Sequence, residues 1–239
     1  MTGGYSLILW DFDGTLCDTF GAIEASVIGS GITKPEEVSF LMDCFKNGAT
    51  LSQAFTLLLE NRYQKNPTHL SSYNTEPFIK EIDHLCRQYR EAYPVFGRKN
   101  EFLFSDTLPT LEAFHKKGIK QVIVSNKSED ELVDAVDRFH LTRYFFSVLG
   151  SRTDMPFKPD PKVFEKRIAP LLLGFFQETS LHRQEILMIG DTIVDVQFGN
   201  AIGCDTVLIK RSKFIKSDIL SSLQMEPTFL INNLNELIL

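Results

Sequence analysis

A single apolar strand stands by itself at the start of this chain. Ser6–Trp10 reads SLILW, and the stretch after Thr15 carries no strong strand signal for about 80 residues. A lone strand cannot pair its backbone or bury both faces, so it must join a sheet built from sequence much further on. That sheet is legible. From about residue 100 the pattern alternates: a helix at Leu108–Lys117 closed by Gly118, a strand at Lys120–Ser125, and a helix running to Phe139 behind a Ser128/Glu131 capping box. A strand "FSVLG", a helix at Pro161–Leu173 and a strand "EILMIG" follow. A helix at Val194–Ile202 ends at Gly203, and strands come at "DTVLI" and Thr228–Ile231. Alternation of this kind predicts a parallel sheet covered by helices on both faces.

The intervening block is then an insertion. Pro35 opens one helix there. Thr50 caps a second, with Leu51, Phe55, Leu58 and Leu59 on one face. Pro77 opens a third, with Phe78, Ile82, Leu85 and Tyr89 in register and Pro94 ending it. "NRYQKNPTHLSSYN" reads as a loop between the last two. The expected organisation is an α/β core at 1–17 and 100–239, with a Rossmann-like parallel sheet, and an inserted helical domain at 18–99. Asp18 is expected to N-cap the first inserted helix.

Composition narrows the class of partner. A net charge of −6 with no Lys/Arg block argues against nucleic acid or an anionic membrane surface. No run of about 20 apolar residues predicts a transmembrane helix, and SLILW is too short and lacks the basic flank for a signal peptide. The four cysteines and five histidines are scattered without metal-ligand spacing, which fits reduced thiols in a cytoplasmic protein and argues against zinc.

In an open α/β sheet, ligands sit beyond the carboxyl ends of the strands. Those ends are polar here. The first strand runs into Asp11-Phe12-Asp13-Gly14-Thr15 and the second into Ser125-Asn126-Lys127. "EILMIG" runs into Asp191-Thr192 and then Asp195, and Lys158 precedes a helix in "FKPDPKVF". Bare carboxylates repel: two of them ~5 Å apart at an effective dielectric of ~20 cost roughly 3 kcal/mol. A strand that ends in such a cluster needs something to offset that charge.

These four motifs, in this order, resemble those of the haloacid dehalogenase superfamily of hydrolases. The insertion point matches that family's helical cap, and the pattern is most similar to its phosphoglycolate phosphatase-like branch. The resemblance implies a Mg²⁺-dependent phosphatase acting on a small phosphorylated metabolite through an aspartyl-phosphate. Asp11 would be the nucleophile. Asp13 would protonate the leaving oxygen and later activate water. Ser125 and the backbone N–H of Asn126 would hold phosphoryl oxygens, and Lys158 would balance their charge. Asp11, Asp191 and the main-chain carbonyl of Asp13 would bind the metal, whose preference for hard oxygens suits them. Asp195 would orient Lys158 or a metal-bound water. Gly14 is expected in a turn that a β-carbon would strain, with Thr15 closing the motif. In the insertion, the 46–50 loop and Arg87, Arg90 and Arg98 are candidates for contacting substrate, although solvated cations explain the arginines more simply.

Asp13 argues against a dehalogenase or a phosphonatase-like enzyme, whose motifs lack that second acid. A sugar phosphomutase, which uses both aspartates, is one alternative. A non-catalytic binding or regulatory protein on the same scaffold is another.

Overall fold

Strand β1 (Leu7–Trp10) is buried along its whole length in the computed structural model, which describes residues 4–64, 75–173, 182–211 and 226–238. After it the chain forms a two-residue strand, β2 (Cys17–Asp18), and enters four helices: α1 (Phe20–Gly29), α2 (Pro35–Lys46), α3 (Leu51–Gln64) and α4 (Glu76–Ala92). The chain divides into two compact units, one of Met1–Asp18 with Leu103–Leu239 and one of Thr19–Phe102.

The helical unit follows its sequence closely. Pro35 stands at the first position of α2, with Glu36 and Glu37 in the first turn where the helix dipole favours them. Thr50 opens α3 through a reciprocal pair: its Oγ1 accepts from the Gln53 N–H, and its own N–H donates to Gln53 Oε1. Phe55, Leu58 and Leu59 pack with Phe78, Ile82, Leu85 and Tyr89 into one apolar core. Three expectations change. The N-cap of α1 is Thr19, and Asp18 lies in β2. Helix α3 continues to Gln64, so only 65–74 of the expected loop falls outside the described residues. α4 ends at Ala92, just ahead of Pro94, but the helical path does not stop: a π-type turn, Tyr93–Gly97, carries the chain on. Proline lacks the N–H and crowds the carbonyl four residues back, and a wider turn relieves both conflicts.

Beyond β3 (Phe102–Leu103), which pairs with β2, the α/β unit resumes with α5 (Thr107–Lys116) and β4 (Lys120–Ser128). Then come α6 (Glu129–Arg138), β5 (Ser147–Ser151), α7 (Ala169–Leu173), β6 (Ile186–Gly190), α8 (Ile193–Ile202), β7 (Asp205–Ile209) and β8 (Phe229–Ile231). The six-stranded sheet has the order β5-β4-β1-β6-β7-β8 with every pairing parallel. Alternation along the strands divides the core in two. Ile8, Trp10, Ile123, Leu187 and Ile189 face α5 and α6. Leu7, Leu9, Val122, Val124, Ile186 and Met188 face α8 and the Val163–Leu172 stretch. β1 therefore lies at the centre, between the two strands whose ends carry the other motifs.

Two local expectations also change here. β4 runs three residues past Ser125, with a register irregularity between Val124 and Ser128. Ser128 is consequently still paired with Ser151 and its side chain makes no cap hydrogen bond, so the capping box does not form. Glu129, Asp130 and Glu131 in the first turn of α6 complement its dipole instead. The expected helix at 161–173 is interrupted by a π-type turn at Phe164–Ile168. All four cysteines are free, and no helix of the described residues is long and apolar enough to cross a membrane.

Candidate active site

The carboxyl ends of β1, β4 and β6 bring together side chains that are far apart in sequence. Asp11 follows β1, and its N–H still donates to Ile189 O as an extension of the sheet (2.8 Å). This fixes the Asp11 side chain beside Asp191, which follows β6. Asp11, Asp191 and Asp195 are all buried, and each offers an oxygen within 4.8 Å of the others'. Lys158, 3% exposed, enters the group from the 152–161 segment. Its Nζ lies 2.8 Å from Asp11 Oδ1 and 2.6 Å from Asp195 Oδ1.

The supports are specific. Asn126 braces the lysine loop twice: its Nδ2 donates to Lys158 O and its Oδ1 accepts from Lys158 N, each at 3.0 Å. The second oxygen of Asp195 accepts from Thr192 N and Thr192 Oγ1, which also closes the capping box of α8. Thr15 Oγ1 lies 3.2 Å from Asp191 Oδ1 and 3.5 Å from Asp11 Oδ2. Gly14 has φ +77°, and a Cβ there would stand 2.2 Å from Asp191 Oδ2. The motif glycine thus meets a conformational demand and a steric one. At Gly190 a Cβ would stand 2.2 Å from Asp195 Cγ, so this glycine lets α8 start against the strand end.

Three carboxylates against one ammonium leave two negative charges in a buried site, and the titration behaviour reflects this. Burial raises Asp11 to about 7; Lys158 opposes the rise, while Asp195 and Asp13 add to it. Burial likewise pushes Asp191 well above the carboxylate range, helped by the charges of Asp11 and Asp195. Burial works against the charge on Lys158, but Asp11 and Asp195 outweigh it and hold the ammonium above the usual lysine range. A divalent cation matches both the residual charge and the hard-oxygen donor set. Asp11, Asp191 and Asp195 each offer an oxygen to such an ion, although both Asp195 oxygens are held, by Lys158 and Thr192. Among the described residues no histidine or cysteine joins this cluster.

The remaining motif residues lie alongside. Ser125 is buried, and its Oγ accepts from Lys127 N at 3.2 Å. The Asp13 side chain stands apart from the three clustered carboxylates, with Lys127 Nζ 3.4 Å from its Oδ1. Sequence reasoning assigned no role to Lys127 and gave Asn126 only its backbone N–H. It also missed a buried pair below the motif loop. Arg211 Nη1 and Nη2 grip both oxygens of Asp106 at 2.8 and 2.7 Å, and Nη2 reaches Thr15 O at 3.1 Å. The guanidinium also sits over the Phe104 ring, 3.9 Å from its centroid. One cue was present for Lys127, its place directly after Ser125-Asn126; nothing local marked Asp106 and Arg211 as partners.

A parallel sheet of this order, with acids from two neighbouring strand ends gathered around one buried lysine, defines a class. Residues 8–209 match the family model of haloacid dehalogenase-like hydrolases, and the chain belongs to that family. It is 29% identical over 210 residues to a phosphoglycolate phosphatase of Aquifex aeolicus, covering 84% of this chain and 83% of the relative. It is 25% identical over 210 residues to the phosphoglycolate phosphatase of Escherichia coli, covering 84% and 79%. Among solved structures, a haloacid dehalogenase-like hydrolase of Bacteroides fragilis superposes with a TM-score of 0.77 at 22% identity, covering 98% of this chain and 99% of that one. A haloacid dehalogenase-like family hydrolase of Streptococcus pneumoniae gives 0.71 at 18%, covering 98% and 97%. These two likenesses establish the fold.

Proposed function

We propose that this chain is a cytoplasmic Mg²⁺-dependent phosphatase of a small phosphomonoester metabolite, similar in substrate class to the phosphoglycolate phosphatases it resembles, and that it works through an aspartyl-phosphate. The observation that carries the reading is the unlike setting of two carboxylates two residues apart. Asp11 sits buried among Lys158, Asp191 and Asp195, whereas Asp13 stands outside that group on a lysine of its own. Acids held in different environments are suited to different roles.

In this scheme an oxygen of Asp11 attacks phosphorus, and the bond to the leaving oxygen breaks as that oxygen takes a proton from Asp13. Water then attacks the phosphorus and gives its proton to the Asp13 carboxylate. The bond to Asp11 breaks, and inorganic phosphate leaves. Ser125 Oγ and the Asn126 N–H hold phosphoryl oxygens, and Lys158 balances the negative charge that passes from Asp11 to the phosphoryl group as it attacks. Mg²⁺, bound by the carboxylates of Asp11 and Asp191 and the main-chain carbonyl of Asp13, would supply further charge stabilisation to the phosphoryl group. Asp195 keeps Lys158 in place. The inserted helical unit is assigned the choice of substrate.

The test is phosphate release by purified protein with Mg²⁺ across a panel of phosphomonoesters: 2-phosphoglycolate, sugar phosphates and nucleotides, with pyrophosphate alongside. Free phosphate, abolished by chelation and restored by added Mg²⁺, is expected. A rearranged sugar phosphate in place of free phosphate would identify a mutase. A folded chain inert across the panel would identify a binding protein.

A further inference from the structure

Lysine is seldom buried without an acid beside it. The α/β unit buries two at its site, and they serve different acids. Lys158 pairs with Asp11 and Asp195; the Lys127 side chain is 4% exposed and pairs with Asp13, whose own side chain is 26% exposed. Because β4 continues through Ser128, Lys127 is carried on a strand, beside the register irregularity after Val124. Its two ends do separate things. The backbone N–H donates to Ser125 Oγ, which leaves the hydroxyl proton of Ser125 to be donated onward. The ammonium takes Asp13 Oδ1, which leaves Oδ2 as the oxygen to exchange a proton with a reacting group.

Resting on the phosphatase reading above, we propose that Lys127 is a positioning residue that holds the Asp13 carboxylate in the orientation needed for proton transfer and, through its backbone, aims the Ser125 hydroxyl. The 3.4 Å separation suits a contact that tightens once substrate is bound.

Leaving groups test this where a purely structural role would be silent. Lys127→Met and Lys127→Arg are compared with wild type, with Mg²⁺, on an alkyl phosphate (2-phosphoglycolate as first choice) and on p-nitrophenyl phosphate, whose leaving group is stable without a proton. For Lys127→Met, kcat on the alkyl phosphate should fall about 10- to 100-fold with little change in KM, since positioned proton transfer contributes at least that much. On p-nitrophenyl phosphate the first turnover should stay near the wild-type rate. Steady-state turnover should then slow, with phosphoprotein accumulating under acid quench, because water attack still needs Asp13. Lys127→Arg should recover much of the loss. Equal losses in the first turnover on both substrates, a rise in KM alone, or wild-type behaviour would each overturn the inference. If Lys127→Met fails to fold by circular dichroism, Lys127→Gln gives the same comparison. A wild-type chain that releases no phosphate overturns the phosphatase reading and this inference with it.

Discussion

The two units of this protein treat charge in opposite ways. Among the described residues, the α/β unit buries Asp11, Asp106, Lys158, Asp191 and Asp195 and tucks away the side chain of Lys127, while the helical unit buries Glu101, which accepts from the Tyr93 hydroxyl. The helical core is apolar and aromatic: Tyr89 lies with its ring centroid 6.2 Å from Phe45, 6.3 Å from Phe55 and 5.8 Å from Tyr93. Burying a charge is costly unless it is paired, and the α/β unit gathers three buried carboxylates around a single lysine. That expense has no folding rationale of its own. The contrast teaches that the carboxyl end of the sheet is built for chemistry, whereas the helical unit is held by packing and can vary in sequence as long as its volume is kept.

The largest expected effect breaks the chemistry and spares the fold. Asp11→Asn should lower turnover at least about a thousandfold, the scale seen when a nucleophile is removed. It takes one charge out of an over-charged buried site, so the metal-free chain should be as stable as wild type or more so. Urea titration beside phosphate release checks both halves; a variant that keeps its activity removes Asp11 from the nucleophile role, and one that unfolds early shows that its charge stabilises the site. Next in size is Lys158→Met, which strands Asp11 and Asp195 without their cation. Losing one partner of a buried pair costs about 3–5 kcal/mol, so the urea midpoint of the α/β unit should fall steeply. A small loss would mean that the cluster is wetter and less charged than its burial implies.

Much of this site was legible because each motif is local to a strand end. Asp11, Asp13, Gly14 and Thr15 follow one strand and Asp191 and Asp195 another, and strand ends in a parallel sheet converge by topology. Partnership was a different matter. Lys127 meets Asp13 across 114 positions, and Arg211 meets Asp106 across 105. Neither pair has a spacing signature, because each depends on how the sheet brings its strands together. The same limit explains Ser128. Its S-x-x-E pattern is a sound helix start, but pairing with Ser151 keeps Ser128 in the strand and tertiary structure overrides the local signal. Pro94 reads as a stop by local rules, yet a widened turn lets the helical path continue. The reading "NRYQKNPTHLSSYN" as a loop failed at its start for a milder reason: Arg62 and Tyr63 on α3 hold Glu37 and Glu81, and those partners extend the helix.

The Asp106–Arg211 pair offers a mid-sized test. Burial favours the neutral acid at Asp106, but the hydrogen bonds from Arg211 and from Leu234 N outweigh it and hold the carboxyl below its ordinary value. The sign follows from linkage. Between the folded and unfolded values the unfolded chain binds more protons, so the pair's stabilisation is complete above about pH 4 and is lost as pH falls through the folded value. Asp106→Asn should therefore cost about 1–3 kcal/mol at pH 7. The gap to wild type should narrow as urea titrations are taken from pH 5 to pH 3. A gap independent of pH would show that the contribution is packing against Phe104, not charge.

The smallest effect belongs to the helical unit. Arg62 Nη2 lies 2.7 Å from Glu37 Oε2, and its Nε lies 3.0 Å from Oε1, joining α2 to α3. Like Arg211 on Asp106 this is a two-point contact, side-on through Nε and Nη2 here and end-on through Nη1 and Nη2 there, but the Arg62 side chain is 36% exposed against 9% for Arg211. Water and salt screen the outer pair, so Glu37→Gln should cost under about 1 kcal/mol, with less loss at high ionic strength. Phosphate release should be unchanged. Measuring Glu37→Gln and Asp106→Asn in parallel, at low and high salt, sets a part-exposed two-point ion pair against a buried one. Equal, salt-independent losses would mean that the helical unit also depends on charge held away from water, and the contrast between the units would have to be drawn from the acid cluster alone.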